Sequence, residues 1–162
     1  MDAYVLELKL LVLLLIANGS PVLAARLCGP YLGGAIDRGM MFLGRPLFGS
    51  SKTWRGIIVA LGFTTLFALV LGLNALVGIV IGLGAMLGDV MASFIKRRLN
   101  IPSSGMSLGL DQIPESLLPL LLVKSRLELG WPDIALIVAV FFILELLLSA
   151  IGYRLRLRKR PY

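Results

Sequence analysis

The sequence contains no histidine and only one cysteine, Cys28, among its 162 residues. A Cys/His zinc site therefore cannot form, and a single thiol cannot close an internal disulfide. Charge is also scarce, because 15% of the residues are charged whereas 58% are hydrophobic. The mean hydropathy of +0.93 is too high for a water-soluble globule. The composition indicates an integral membrane protein in which Cys28 is a small packing residue.

Five apolar runs are long enough to cross a bilayer, at about 20 residues per span. We therefore expect an all-α, polytopic integral membrane protein with five transmembrane helices, forming a single transmembrane domain over residues 1–162. Glycines four residues apart, Gly78 with Gly82 and Gly84 with Gly88, predict that the third span approaches a neighbour closely. The five runs are Leu10–Leu27, Gly56–Leu73, Ala75–Phe94, Ile113–Leu129 and Trp131–Tyr153.

Basic residues outnumber acidic ones, 16 against nine, which gives a formal charge of +7. Most of the bases fall in or next to three segments: the long loop 28–55, the loop 96–111 and the tail 154–162. With five spans these segments share one side of the membrane, and the positive-inside rule places that side in the cytoplasm. We expect a multi-pass protein of the cell membrane with its N-terminus outside and its C-terminus cytoplasmic.

The end of the third span carries polar residues that a passive anchor does not need. Four of them follow the spacing i, i+4, i+7 and i+8: Asp89, Ser93, Lys96 and Arg97. On a helix this spacing puts a carboxylate, a hydroxyl and two cations on one face. A second acid, Asp111, stands where the fourth span begins. Two carboxylates are the usual minimum for holding magnesium beside phosphate and water. The pattern predicts a site for a metal-bound polyphosphate.

Plainer explanations also fit these residues. Asp89 could form a structural ion pair with Lys96 or with a base on a neighbouring helix. Asp111 could be a helix N-cap, with Glu115 completing the first turn. The basic residues after Ser93 could be positive-inside anchors and nothing more.

A second polar cluster, Lys52-Thr53-Trp54-Arg55, ends the long loop. A lysine and an arginine three residues apart, with a hydroxyl between them, could bind a phosphate, and backbone N–H groups could donate further hydrogen bonds to it. In the first span, Asn18-Gly19-Ser20-Pro21 is expected to break the helix, because proline donates no backbone hydrogen bond. Asn18 is more often a hydrogen-bonding residue between helices than a ligand.

Five pieces of the sequence resemble the archaeal CDP-archaeol synthase family, which is related to the phosphatidate cytidylyltransferases. They run from the first span to the start of the fourth. The wider family has a histidine between its basic cluster and its last acidic segment, whereas Pro102-Ser103-Ser104-Gly105 occupies that region here, so details of that loop do not transfer. The matching pieces are Asn18-Gly19-Ser20-Pro21, Asp37, Gly49 to Gly56, Gly88 to Arg98, and Asp111-Gln112-Ile113-Pro114-Glu115.

The resemblance implies a cytidylyltransferase that uses CTP and Mg²⁺ to activate the phosphate of an unsaturated diether lipid with geranylgeranyl chains. Its partners would be CTP, this lipid phosphate and membrane lipids, with no nucleic acid, and a homodimer is compatible with it. The resemblance implies catalytic roles for Asp89, Lys96 and Asp111, and metal binding by the two aspartates. The residues implied in substrate binding are Lys52, Thr53, Arg55, Ser93, Arg97, Asn18, Asp37 and Gln112. Whether Asn18 and Asp37 touch substrate stays open.

Two other functions deserve comparison with this one. A CDP-alcohol phosphotransferase works at the same membrane face, but its long acidic signature is absent from the sequence. A small channel or transporter subunit could line its pathway with Asp89 and Glu145. That alternative leaves the basic cluster from Lys52 to Arg55 without a role.

Overall fold

The structure, a computed structural model, describes residues 3–29, 33–103, 105 and 107–154. Each of the five predicted helical segments forms a helix, which confirms the all-helical architecture. The tail after Arg154, which includes most of the predicted basic tail 154–162, lies outside the described residues. The helices are α1 (Ala3–Leu27), α2 (Trp54–Val70), α3 (Ala75–Arg98), α4 (Gln112–Leu127) and α5 (Trp131–Arg154).

Three segments are long and apolar enough to cross a membrane by length and composition: Tyr4–Leu27, Ala75–Arg98 and Trp131–Gly152. Helix α2 is a shorter apolar helix of 17 residues, and α4 has 16 residues with Lys124 and Arg126 in its last turn. An all-helical chain with three such helices is consistent with an integral membrane protein.

Several predicted boundaries are wrong. Helix α1 begins at Ala3 rather than at Leu10, and α2 begins at Trp54, so the long loop predicted to end at residue 55 ends before that residue. The break expected at Asn18 to Pro21 does not occur, because proline removes only one hydrogen bond and α1 continues to Leu27. The second loop begins after residue 98 rather than at 96, since the N–H of Leu99 still donates to the carbonyl of Ile95 at 3.0 Å. The three consecutive bases therefore stand on the last turn of α3.

The all-helical prediction also missed a small hairpin in the long loop. Strands β1 (Met41–Phe42) and β2 (Arg45–Pro46) pair antiparallel. The two residues between them, Leu43 and Gly44, have φ of 49° and 72°. Positive φ at both positions is typical of a tight type I′ turn. The hairpin gives the long loop a defined shape above the end of α3.

Helices α3 and α4 pack with almost no space between their backbones. A Cβ on Gly88 would lie 2.2 Å from the carbonyl oxygen of Pro114, and one on Gly84 would lie 2.6 Å from the Cα of Pro119. No side chain fits at such distances, so glycine is required at both positions. This contact confirms the close approach that the glycine spacing predicts, and it holds the first half of α4 against the middle of α3.

A continuous hydrophobic core joins α1, α3, α4 and α5. Leu10, Ile81, Leu120 and Phe141 contribute fully buried side chains, one from each helix. Burying apolar side chains between helices leaves the polar residues for the helix ends. Residues near the C-terminal ends of α1, α3 and α5 and near the N-terminal ends of α2 and α4 line one common space.

Candidate active site

A polar cavity of about 1060 Å³ lies where these helix ends meet. Its walls come from all five helices and from the loops that precede α2 and α4. A concave site lined by both signs of charge can hold an anionic ligand together with a cation. The charged side chains in its walls are Asp89, Asp111, Glu115 and Glu145, with Arg26, Lys52, Arg55, Lys96 and Arg97.

The polar face of α3 forms one wall of the cavity. Asp89, Ser93, Lys96 and Arg97 all lie on this one helix and all line the cavity. Ser93, Lys96 and Arg97 are also buried. The shared helical face that their spacing predicts is therefore confirmed.

Two lysine–carboxylate pairs cross the cavity between different parts of the chain. Lys52, from the loop before α2, forms an ion pair with Asp89 on α3. The Nζ of Lys96 lies 2.7 Å from Oδ1 of Asp111 at the start of α4. Two structural ion pairs were open for Asp89, with Lys96 or with a base on a neighbouring helix. The pair with Lys96 does not occur, because each residue has another partner, and the base that Asp89 does contact, Lys52, lies in the loop before α2. The pairs fix the loop, α3 and α4 around one polar space.

Asp111 is not a simple helix cap. Its backbone is already helical, with φ of −81° and ψ of −56°, and its side chain makes no capping hydrogen bond. A capping side chain requires an extended backbone to reach the first N–H groups of the helix. The Oδ2 of Asp111 instead accepts from the N–H of Ser107 at 3.0 Å. The carboxylate is thus turned back toward the loop and the cavity.

The three bases at the end of α3 separate into two groups. Arg97 is only 5% exposed and donates to Oγ of Ser103 at 3.0 Å. Its Nε has no hydrogen-bond partner within the described part of the chain. Arg98 turns away, with its guanidinium 5.2 Å from the ring of Phe42 and 5.0 Å from that of Phe94. Arg98 therefore secures the hairpin, whereas Lys96 and Arg97 face the cavity.

The start of α2 forms the opposite wall. The Oγ1 of Thr53 accepts from the N–H of Gly56 at 3.2 Å and so caps the helix. Arg55 is buried and donates to the carbonyl of Gly29. Because helix N-termini carry partial positive charge, this wall favours an anion beside Lys52 and Arg55.

Asp37 organises the long loop and does not line the cavity. It is 2% exposed, and its carboxylate accepts from the N–H groups of Gly39, Phe48 and Gly49 at 2.9–3.1 Å. Burial alone would raise the pKa of Asp37, but the backbone donors outweigh it and hold the pKa below its ordinary value. This geometry favours a structural role over substrate contact.

The two predicted amide residues are placed differently. Asn18 lines the cavity, and its Nδ2 donates to the carbonyl of Leu14 in its own helix at 3.0 Å, so it does not link two helices through this group. Gln112 is 1% exposed and lies behind the cavity wall, where its Oε1 accepts from the N–H of Gly109 at 2.8 Å. Gln112 thus shapes the turn before α4.

Sequence reasoning missed Glu115 as a site residue. Glu115 is 6% exposed, lines the cavity and is hydrogen-bonded to the carboxyl group of Asp89. Its contact with Asp89 depends on the backbone packing at Gly88. The sequence did contain one indication that Glu115 belongs to the site. Asp111 and Glu115 are four residues apart, so they share a helix face.

Comparisons with known proteins agree with this architecture. A family model described as "CarS-like: CDP-archaeol synthase" matches residues 67–162. A CDP-archaeol synthase of Saccharolobus islandicus is 37% identical over 171 aligned positions, covering 99% of this chain and 98% of the relative. The chain belongs to the CDP-archaeol synthase family. Another CDP-archaeol synthase, from Pyrobaculum calidifontis, is 32% identical and covers 91% of each chain.

A solved structure described as "Structural insight into an intramembrane enzyme for archaeal membrane lipids biosynthesis" has a similar fold. Its TM-score is 0.71 and its sequence is 30% identical, with 87% of this chain and 90% of that chain covered. The CDP-archaeol synthase family therefore provides both the sequence and the fold context for the site.

The oxygen donors in the cavity are of the kind that a magnesium ion prefers. All the acidic ligands are carboxylates, the oxygen donors that Mg²⁺ prefers. Among the described residues, no group of three or more His, Cys, Asp or Glu side chains forms a ready-made metal cage. Mg²⁺ typically takes one or two carboxylates and completes its coordination with phosphate oxygens and water. Two carboxylates such as those of Asp89 and Asp111 would meet that requirement.

Proposed function

We propose that this protein is a membrane cytidylyltransferase that transfers CMP from CTP to the phosphate of an unsaturated archaeal diether lipid. The main support for this proposal is that acidic and basic side chains from separate segments of the chain line one cavity. Asp89 and Asp111 line it with Lys52, Lys96 and Arg97, although these residues come from three parts of the chain. Family membership points to the same reaction class.

The chemistry requires no histidine. A phosphate oxygen of the lipid attacks the α-phosphorus of CTP, the bond from that phosphorus to the bridging oxygen breaks, and pyrophosphate leaves. A phosphate monoester, with a second pKa of about 6, is already ionised at neutral pH. The nucleophile therefore needs no general base, which agrees with a sequence that has no histidine.

Catalysis then depends on aligning two anions and neutralising the charge that develops on the transferred and leaving phosphates. Lys96 and Arg97 would contact the triphosphate. Lys52 and Arg55, with the N-terminus of α2, would contact either the triphosphate or the lipid phosphate. Lysine and arginine stabilise such charge best in a site that excludes bulk water, and Arg55, Lys96 and Arg97 are all buried.

Asp89 and Asp111 would hold Mg²⁺ in this site. The ion, when bound with CTP, neutralises negative charge on the phosphate oxygens. Lys52 and Lys96 contact the two carboxylates, so both ammonium groups lie close to the residues that would hold the ion. Glu115 supports the same region through its hydrogen bond to Asp89.

We further propose that all five helices span the cell membrane and that the cavity opens to the cytoplasm. The bases of the long loop and of the end of α3 support this orientation through the positive-inside rule. CTP would then enter from the cytoplasm, while the lipid would enter from the side within the bilayer. A channel subunit is not favoured, because the cluster from Lys52 to Arg55 would have no role in it.

The test is a single incubation of purified protein with labelled CTP, magnesium and a set of lipid phosphates. We expect label to appear in lipid when the diether lipid phosphate is present. Folded protein that produced no labelled lipid with any of these lipid phosphates would contradict the proposed function. Ion flux through the same protein in vesicles would then favour the channel.

A further inference from the structure

The β1–β2 hairpin exposes a row of apolar side chains. Four consecutive residues, Met40 to Leu43, have between 46% and 80% of their surface exposed, and Leu43 at the turn is the most exposed. They form the apolar tip of the hairpin. Exposed apolar residues are expected on the outer faces of transmembrane helices, but this tip lies in the long loop, outside every helix. A contiguous apolar patch in such a place indicates contact with another apolar surface.

Leu43 occupies its turn at a conformational cost. Its φ is 49°, in the left-handed region, and it is the first of the two residues between the strands. A two-residue turn with positive φ at both positions prefers asparagine or aspartate at the first, because a larger side chain crowds the following carbonyl oxygen. Leu43 is therefore both strained and exposed, and it gains little from the fold itself. Its side chain indicates a contact outside the chain.

The hairpin is fixed to the last turn of α3. The Nη2 of Arg98 donates to the carbonyl of Pro46 at 2.6 Å, and Nη1 of Arg45 donates back to the carbonyl of Arg98. The ring of Phe42 lies 6.0 Å from the ring of Phe94. These contacts hold the hairpin beside the segment from Phe94 to Arg98. The apolar tip is thus presented at a defined place along the helix.

That place is the boundary of the membrane. The candidate span Ala75–Arg98 has 24 residues, whereas about 20 residues cross the hydrocarbon core. The last turn of α3, which carries the three bases, consequently lies in the head-group layer, which is roughly 5–7 Å thick on each side. From Phe94 to Arg98 the helix rises roughly 6 Å, at about 1.5 Å per residue. The hairpin contacts α3 within this layer.

The apolar tip adjoins the outward face of α3. Leu87, Met91 and Ile95 are exposed and lie four residues apart, so they form one outward stripe on the helix. Phe94 and Arg98 each follow a stripe residue by three positions, so the hairpin that they hold lies along the edge of the stripe. The apolar tip therefore continues the lipid-facing surface of the span into the head-group layer.

The charges around the tip suit anionic lipid head groups. Residues 38–51 include two arginines and no acid, and Arg38 is exposed at the base of the hairpin. The guanidinium of Arg98 lies over the rings of Phe42 and Phe94. Arginine beside aromatic rings is typical of the membrane interface, where the cation reaches the head groups and the apolar groups lie below them.

We propose that the apolar tip inserts into the head-group layer beside α3 and anchors the long loop to a bilayer that contains anionic lipid. A second copy of the chain is a poorer occupant, because a stable protein interface takes about 20–30 residues from each side. The anchor goes beyond the proposed function and does not depend on it. Its consequence is positional: Lys52 follows the hairpin in the same loop, so the anchor helps to hold it beside Asp89.

Depth-dependent quenching tests the insertion directly. A fluorophore is attached to Leu43→Cys in the purified protein, in a Cys28→Ser background that leaves no other thiol. The reference positions are Met91→Cys in the outward stripe and Ser50→Cys, an exposed position that lines the cavity. In bilayer nanodiscs, a nitroxide near the lipid head group should reduce the Leu43 fluorescence more than a nitroxide deep in the acyl chain. Aqueous iodide should reduce it little, as at Met91.

Three outcomes of this experiment would overturn the proposal. A Leu43 probe that iodide quenches as strongly as the Ser50 probe would place the tip in water. A probe shielded from iodide and from both nitroxides would place protein, such as a second copy, over the tip. Stronger quenching by the deep nitroxide would place the tip in the hydrocarbon core.

Leu43→Asn separates anchoring from turn formation. Asparagine suits the left-handed turn position better than leucine, so turn preference alone predicts equal or slower hydrogen exchange in the hairpin. Loss of the anchor predicts faster exchange at residues 40–47, and this is the result that we expect in bilayers. The matched control is Leu108→Asn, an exposed leucine in the second loop, which should leave hairpin exchange unchanged. Equal or slower exchange in Leu43→Asn would contradict the anchor.

Lipid charge provides a further test. Adding anionic lipid to a neutral bilayer should increase the quenching of the Leu43 probe by the head-group nitroxide, because the bases attract the tip to the surface. Arg38→Asn removes one of these charges and keeps a residue that tolerates the φ of 47°. We expect a smaller increase in this variant. Equal quenching of wild type in neutral and anionic bilayers would overturn the assignment to anionic lipid.

Discussion

The α3–α4 contact and the α1–α2 contact are built in opposite ways. At α3–α4, Gly84 and Gly88 bring two backbones together, and Asp89 and Glu115 share a hydrogen bond across that contact. At α1–α2, Phe63 and other bulky side chains of α2 leave an apolar groove open beside α1. One contact fixes charged groups in place, and the other leaves apolar side chains apart. The bundle is therefore tightly packed where its polar groups converge and open where only apolar side chains meet.

Removing a carboxylate from the α3–α4 side should have the largest effect. We expect Asp89→Asn and Asp111→Asn each to reduce turnover by about 100-fold or more, since each variant loses charge that the transition state requires. Turnover at saturating magnesium is the measurement. Glu128→Gln, an exposed acid outside the cavity, is the control and should keep its activity. Near wild-type turnover in either aspartate variant would remove that residue from the metal site.

Forcing the α3–α4 contact apart should have the next largest effect. A Cβ in Gly88→Ala would meet the carbonyl of Pro114, so the helices must separate or strain, at a cost of about 1–3 kcal/mol. We expect a lower Tm together with a loss of turnover of about tenfold or more, because Asp89 and Glu115 lose their relative position. Gly62→Ala, which adds a methyl group into open space in the interior of α2, should leave turnover unchanged and should not lower the Tm. An unchanged Tm in Gly88→Ala would show that the two helices can accommodate the added methyl group at this contact.

Removing one cation from the cavity should have a smaller and more selective effect. Lys96→Ala should raise the KM for CTP by about tenfold, the size expected for one charge-assisted hydrogen bond. Lys124→Ala is the matched control, because Lys124 lies in the last turn of α4, away from the cavity at the start of that helix. Its ammonium group is 5.1 Å from the ring of Trp131. Steady-state kinetics with varied CTP measures both. A higher KM for the lipid, with no change for CTP, would assign Lys96 to the lipid phosphate.

The smallest effect is expected in the long loop, which takes part in neither helix contact. The native pKa of Asp37 is below its ordinary value of 3.8, so its carboxylate stabilises the folded loop above that pH. That stabilisation is lost as the pH falls through the native pKa. Wild-type protein should therefore lose stability below about pH 4, whereas Asp37→Asn should be less stable at neutral pH and lose less on acidification. Thermal unfolding followed across pH measures the difference, and parallel pH profiles would contradict it.

The sequence predicted those features that depend on local spacing. The five helices follow from apolar runs, and the shared face of Asp89, Ser93, Lys96 and Arg97 follows from the 3.6-residue repeat. The glycine pairs predicted close packing of α3 because only small residues permit it. Each of these inferences requires information from one helix at a time.

The sequence could not predict features that depend on how separate segments meet. The partner of Asp89 is Lys52, which is 37 residues away, and the alternative partner Lys96 was closer in sequence. Glu115 joins the site only because Gly88 lets α4 approach α3. The hairpin at Met41 to Pro46 was missed because strands of two residues give no alternating pattern to recognise.

The most direct test of the central claim is magnesium-dependent CTP binding by the purified protein, measured by calorimetry without any lipid. We expect magnesium to strengthen CTP binding to the wild-type protein by about tenfold or more. A change of this size corresponds to the free energy of about one charge-assisted hydrogen bond. In the double variant Asp89→Asn, Asp111→Asn, CTP affinity should no longer respond to magnesium. The same magnesium dependence in the double variant and in the wild type would contradict the account.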